Sequence, residues 1–343
     1  DLKTADIFFQ NTLYAHCDAI ITPRPIHTDE GLIQWCYSKP VGYYEEISEQ
    51  IGDFNLFSFW GPLASIESSR WIAKAAVETM ARIRPNLLYV YLPHLDYPCQ
   101  IHGPTNQKIL EELGQVDREV GRIVDGIEDL GLGDETLYIV LSEYAFSEVQ
   151  GDIPLNRLLR ERGLLKIRTI QGREYLDFEL SPAFAMVDHQ IAHIYLKSGK
   201  EMAVRKALEG IDGIDYLLGR QDQKAYHIGH PCAGDIIAVS ARDRWFSYYW
   251  WHDRAKEPDF ATHVDIHRKP GYDPMELFLE PETFKVSQNT SLIRGSHGYP
   301  TLSQQDQVVF LISGERENTV EVPETPFVTD VAAIIEKDLI KEN

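Results

Sequence analysis

The sequence predicts an α/β fold with a mainly parallel sheet and helices on both faces, and one stretch of it carries most of that prediction. Residues 86–92 (NLLYVYL) form a short apolar run rich in Tyr and Val, as a central strand buried on both faces requires. Across 107–130, Ile109, Leu110, Leu113, Val116, Val120, Ile123, Val124 and Ile127 recur at helical spacing, with charged residues on the opposite face. A second apolar run at 136–141 (TLYIVL) follows. Strand, helix and strand in that order make a βαβ unit.

The other elements are read in chain order. Ala5-Asp6-Ile7-Phe8-Phe9 looks like a buried strand, and Pro23-Arg24-Pro25 like a rigid loop. Ser68 or Ser69 is placed to cap a helix over 71–83. The helix over 107–130 meets stop signals at Gly131 and Gly133. A short helix at 154–162 is closed by Gly163. Strands are expected at 183–187, 192–197, 235–240 and 307–312, with helices at 200–209 and 327–339. The whole of 1–343 reads as one catalytic domain, in which the aromatic-rich segment 246–291 looks like an inserted lid.

Composition narrows the function. A chain of 343 residues with 43% hydrophobic and 25% charged residues suits a soluble globular enzyme. A net charge of -20 argues against a nucleic acid polymer as partner, because phosphate-backbone binders cluster Lys and Arg. No apolar run approaches the roughly 20 residues that span a bilayer. Cys17, Cys36, Cys99 and Cys232 are scattered without a CxxC spacing and read as free thiols. The chain opens on Asp1, shows no signal peptide, and enters a strand almost at once. An upstream segment of the natural protein is therefore expected, and the compartment expected by default is cytoplasmic.

Open α/β sheets hold ligands at the carboxyl ends of their strands. The strand at 86–92 runs into Pro93-His94-Leu95-Asp96, and that at 136–141 into Ser142-Glu143-Tyr144. Further on, His297 stands in Gly295-Ser296-His297-Gly298-Tyr299. Two acids and a His brought to one edge would suit a divalent cation. Such a cation also lets an acidic chain handle an anionic substrate.

Five segments resemble, in order, the nucleotide pyrophosphatase/phosphodiesterase family of the alkaline phosphatase superfamily, in a divergent bacterial branch. They are Tyr91 to Asp96 running on to Gly103-Pro104, Val140 to Tyr144, Ile153 to Arg160, Gly234 to Val239, and Gly295 to Tyr299. The bacterial branch is suggested by Ile266-His267-Arg268-Lys269-Pro270-Gly271-Tyr272-Asp273-Pro274. The resemblance implies an alkaline-phosphatase-like fold and a two-metal site, usually zinc. It also implies hydrolysis of phosphodiester or pyrophosphate bonds in a small phosphorylated substrate such as a nucleotide. Asp96, Glu143 and His297 carry over as metal ligands, and the nucleophile is expected upstream of Asp1.

The chain departs from the family at two ligand positions. Gln100 stands where the family has a His, and Glu143-Tyr144 replaces an Asp-His pair. Oxygen donors such as Gln100 and Tyr144 would favour Mg or Mn over zinc. His102, His189, His263 and His267 are further residues that could make good the lost imidazoles, and Arg268 and Lys269 could meet phosphate oxygens. The alternatives are another phosphoric, phosphonic or sulfuric ester hydrolase on the same fold, or a non-catalytic descendant that binds a phosphorylated ligand.

Overall fold

The computed structural model describes residues 2–301, 303–314 and 321–340. Contacts divide the chain into two units. The first comprises 1–96, 110–143 and 308–343, and the second comprises 97–109 and 144–307.

In the first unit, strands Thr4–Ile7, Ala19–Pro23 and Leu87–Val90 pair in parallel with Thr4–Ile7 at the centre, and Cys36–Lys39 adds an antiparallel edge. The central strand is apolar because both its faces are covered: Ala5, Ile7, Ile20 and Ile21 are fully buried. Helices Tyr43–Ile51 and Ile66–Ile83 contribute Ile47, Trp71 and Ile72 to the same core, where Phe8, Phe54 and Phe59 pack against Trp71 and one another. The second helix begins five residues before the expected start. Ser65 is its N-cap, while Ser68 and Ser69 lie inside it and are buried. Ile66 extends the apolar stripe backwards by a turn, and Ser68 donates its hydroxyl to the Ser65 carbonyl (2.9 Å).

The unit expected over 86–141 forms its three elements, with the helix at Gln107–Asp129 and the second strand at Tyr138–Leu141. Its strands join different ladders. Leu87–Val90, expected as a central strand buried on both faces, lies instead at the end of its ladder beside Thr4–Ile7 with Tyr89 exposed, whereas Tyr138–Leu141 pairs antiparallel with Phe310–Ser313.

The second unit is built on an antiparallel sheet in the order Ala183–Asp188, Ile191–Leu196, Ile236–Ser240, Ile214–Gly219. Parallel pairing among the described residues of this unit occurs in Arg244–Ser247 with Gly151–Pro154 and in a single bridge between Val187 and Gly271, so the ladders are more mixed than the sequence suggested. Trp245, Phe246, Tyr248, Trp250 and Trp251 are buried in this unit's core. The aromatic run therefore packs the interior and offers no open platform to a ligand. Asn156 joins helix Leu155–Glu161 to that core, donating to the carbonyls of Ala185 and Tyr248 and accepting from the Ala185 N–H. All four cysteines are free thiols. No helix among the described residues is long and apolar enough to cross a membrane.

Candidate active site

In the second unit, strand Gly295–His297 pairs antiparallel with Phe146–Glu148 and sets His297 opposite Phe146. The approach is close because residue 295 has no side chain: a Cβ there would meet the Cys99 carbonyl oxygen at 2.2 Å. The neighbouring Arg294 N–H donates to the Gln100 carbonyl (2.8 Å). Gly295 thus serves backbone contact, and Gly298, at φ +106°, serves the turn that follows.

The hairpin between Ala183–Asp188 and Ile191–Leu196 turns on His189 and Gln190. His189 holds a left-handed backbone (φ +55°), a conformation that favours glycine and marks functional sites when another residue keeps it. Gln190 fastens the turn. Its N–H donates to the His297 carbonyl (2.8 Å), its side-chain amide donates to the carbonyls of Arg242 and Arg244, and its Oε1 accepts from the Tyr299 N–H.

These connections assemble four rings into one stack. Tyr144 lies on His297 with centroids 3.8 Å apart and planes 9° from parallel. His297 lies 3.8 Å from His189, and His189 lies 4.5 Å from Tyr272. Phe146 meets His297 edge-on. At the far end, the Tyr272 hydroxyl donates to Oε1 of the fully buried Gln100 (3.2 Å). Ser296 Oγ lies 3.4 Å from His189 Nδ1. Burial drives both imidazoles toward the neutral form: His189 sits well below the usual range, further depressed by His297, and His297 falls to about 4. A neutral imidazole is the form that binds a metal.

The expected carboxylates belong to the first unit. Asp96 opens helix Asp96–His102 and is half-buried. The loop leading to it is braced by His94, whose Nε2 lies 2.6 Å from Glu112 Oε2 on helix Gln107–Asp129. Glu143 follows strand Tyr138–Leu141 and is exposed, and local desolvation raises its carboxyl above the ordinary value. Among the described residues no three His, Cys, Asp or Glu side chains are gathered as a metal ion requires.

The remaining sequence candidates have other settings. His102 ends the Asp96–His102 helix and is half-buried. His263 is at the surface with Nδ1 2.8 Å from the Asp259 carbonyl, and His267 is exposed beside Asp265. Arg268 pairs with Asp259 and Asp265, and Lys269 is buried against Asp273 and Glu276. Both cations are thus paired with nearby acids. Sequence reasoning gave Tyr272 no role. The only signal for it was its place after Gly271 in a segment otherwise full of charge.

The family model described as type I phosphodiesterase / nucleotide pyrophosphatase matches residues 1–273. Ectonucleotide pyrophosphatase/phosphodiesterase family member 1 of Mus musculus is 34% identical over 65 residues, which are 19% of this chain and 7% of the mouse protein. The Rattus norvegicus counterpart is 32% identical over 65 residues, with the same shares. The chain therefore matches only a small part of the length of these relatives. A crystal structure of phosphonoacetate hydrolase from Sinorhizobium meliloti, in complex with phosphonoacetate, superimposes with a TM-score of 0.51 at 16% identity. That superposition covers 95% of this chain and 67% of the hydrolase, and at this identity it speaks to the fold alone. The α/β class read from the sequence, of the alkaline-phosphatase type, stands. With a family model matching four-fifths of its length, the chain belongs to the type I phosphodiesterase / nucleotide pyrophosphatase family.

Proposed function

We propose that the protein hydrolyses phosphodiester or pyrophosphate bonds of a small phosphorylated substrate such as a nucleotide, with a divalent cation bound by Asp96, Glu143 and His297. The observation that carries this reading is the four-ring stack, in which two family motif positions, Tyr144 and His297, lie against each other and an added imidazole, His189, lies beside His297. The donor chemistry fits a cation in kind, with two carboxylates and an imidazole that burial keeps neutral. Zinc is the first candidate because of the imidazole, and Mn or Mg the next because of the carboxylates. When bound, the cation would offset the negative charge of the substrate and of the chain.

The protein's own groups support the rest. Tyr144 and Phe146 screen His297 from water on two sides, and burial keeps its imidazole neutral across physiological pH. Gln190 fixes the backbone of His297 relative to the turn that carries His189. Calorimetric titration of the full chain with zinc and with manganese is the first test, since it does not depend on turnover. Asp96→Asn and His297→Gln should each lose about 100-fold in affinity while remaining folded, and any turnover of an aryl phosphodiester should fall with it. Wild-type affinity in both folded variants would overturn the ligand assignment.

A further inference from the structure

The segment 265–276 carries a buried ion group that the proposed function does not use. Lys269 Nζ donates to Asp273 Oδ2 (2.8 Å) and to Glu276 Oε1 (2.6 Å), and all three residues are buried. Each acid has a second tie to the backbone of its own segment. Asp273 Oδ1 accepts from the Met275 N–H, and Glu276 Oε1 accepts from the Asp265 N–H. Taking three charges out of water is costly, and a hydrophobic group of the same size would often serve stability as well. Such groups are best explained when they fix one conformation.

The conformation fixed here is that of Pro270-Gly271-Tyr272. The Val187 N–H donates to the Pro270 carbonyl (3.2 Å), and the Tyr272 N–H donates to the Val187 carbonyl (2.9 Å). Between them Gly271, at φ +113°, lies so close that a Cβ would meet the Val187 carbonyl oxygen at 2.0 Å. The segment is thus bonded to the last turn of strand before His189, and it presents one side chain there. That side chain is Tyr272, with its ring on the His189 imidazole and its hydroxyl on Gln100.

We infer that Tyr272 is a positioning residue, which holds the His189 imidazole and the Gln100 carboxamide in place, and that the Lys269–Asp273–Glu276 group anchors it. The inference deepens the reading of the His189–His297 pair as part of the active site and rests on it. Ring and hydroxyl have separable tasks: the ring closes the open face of His189, and the hydroxyl orients Gln100.

The test compares Tyr272→Phe, which keeps the ring, with Tyr272→Leu, which does not. In the metal-free protein, the His189 ring-proton resonances should move on Tyr272→Leu and stay nearly in place on Tyr272→Phe. Zinc affinity should fall about 10-fold in Tyr272→Leu, the usual cost of losing a partner that orients a ligand, and be largely kept in Tyr272→Phe. Lys269→Met, if folded, should reproduce Tyr272→Leu; if it does not fold, the Tyr272 pair alone decides. Unchanged His189 resonances in Tyr272→Leu would overturn the inference. If those resonances move but neither Tyr272→Leu nor His297→Gln alters zinc affinity, positioning stands and the metal-centre reading falls.

Discussion

Two buried acid sites, Asp6 and the Asp273–Glu276 pair, are handled by opposite means. In the first, Asp6 is 6% exposed on the central strand, accepts from the Phe9 N–H at 3.3 Å and is bonded by Thr12. No cation among the described residues pairs with it, and burial pushes its carboxyl up to about 6. In the second, burial also raises Asp273 and Glu276, but Lys269 pulls both back down. The first site is an acid isolated in an apolar core, although the same unit also buries Glu119 against Arg70 and Arg122. The second spends charge on fixing a segment, and that segment leads to the ring stack. Buried charge in this protein therefore marks different things, a cost in one place and an anchor in the other.

The largest effect expected of that contrast comes from breaking the anchor. Lys269→Met leaves two acids buried without their cation and should cost about 3–5 kcal/mol, measured by denaturant unfolding. The loss should deepen at alkaline pH, where Asp273 and Glu276 must ionise unpaired. A loss under about 1 kcal/mol at pH 8 would mean that the group is not an anchor. Gly271→Ala should come next, at about 3 kcal/mol, because it combines a left-handed backbone with collision against the Val187 carbonyl. Gly172→Ala is its control, since that glycine is also left-handed (φ +81°) but a Cβ there meets nothing within 4 Å. It should cost only about 1 kcal/mol, and equal losses would show that the approach to Val187 is not tight.

The same contrast explains what the sequence disclosed. Strands at 86–92 and 136–141 and the helix at 107–130 were legible because hydrophobic periodicity is local. Asp96, Glu143 and His297 were legible as motif positions because each follows a recognisable strand or lies between glycines. Pairing was not. Leu87–Val90 and Tyr138–Leu141 join different ladders, since apolar runs do not encode their partners. The ring stack was legible only in part. His189 was one of several spare histidines, and its left-handed turn leaves no trace in composition. Tyr272 reaches Gln100 across 172 positions, and the neighbouring Arg268 and Lys269 suggested phosphate binding instead. Basic residues beside acids at i+4 and i+7 could have pointed to internal pairing, but only packing decides whether such a group is buried.

The smallest effect concerns Asp6, and its sign follows from linkage. An Asp in the unfolded chain titrates near 3.9, so a folded-state value of about 6 means that the native protein holds the proton more tightly. Below about pH 4 the group is neutral in both states and costs nothing. As pH rises from there through 6, the folded state must ionise a buried acid, and stability falls by about 2–3 kcal/mol before levelling off. Asp6→Asn removes the ionisation while keeping an acceptor for the Phe9 N–H. It should therefore flatten the decline between pH 4 and 7 and leave the variant more stable than the parent at pH 8 by about 1–2 kcal/mol, part of the gain being lost to an amide that fits the site less well. Denaturant unfolding of both proteins at pH 4.5, 6 and 8 measures this. Parallel pH profiles would show that Asp6 finds compensation on ionising, and its contrast with the Lys269 group would then disappear.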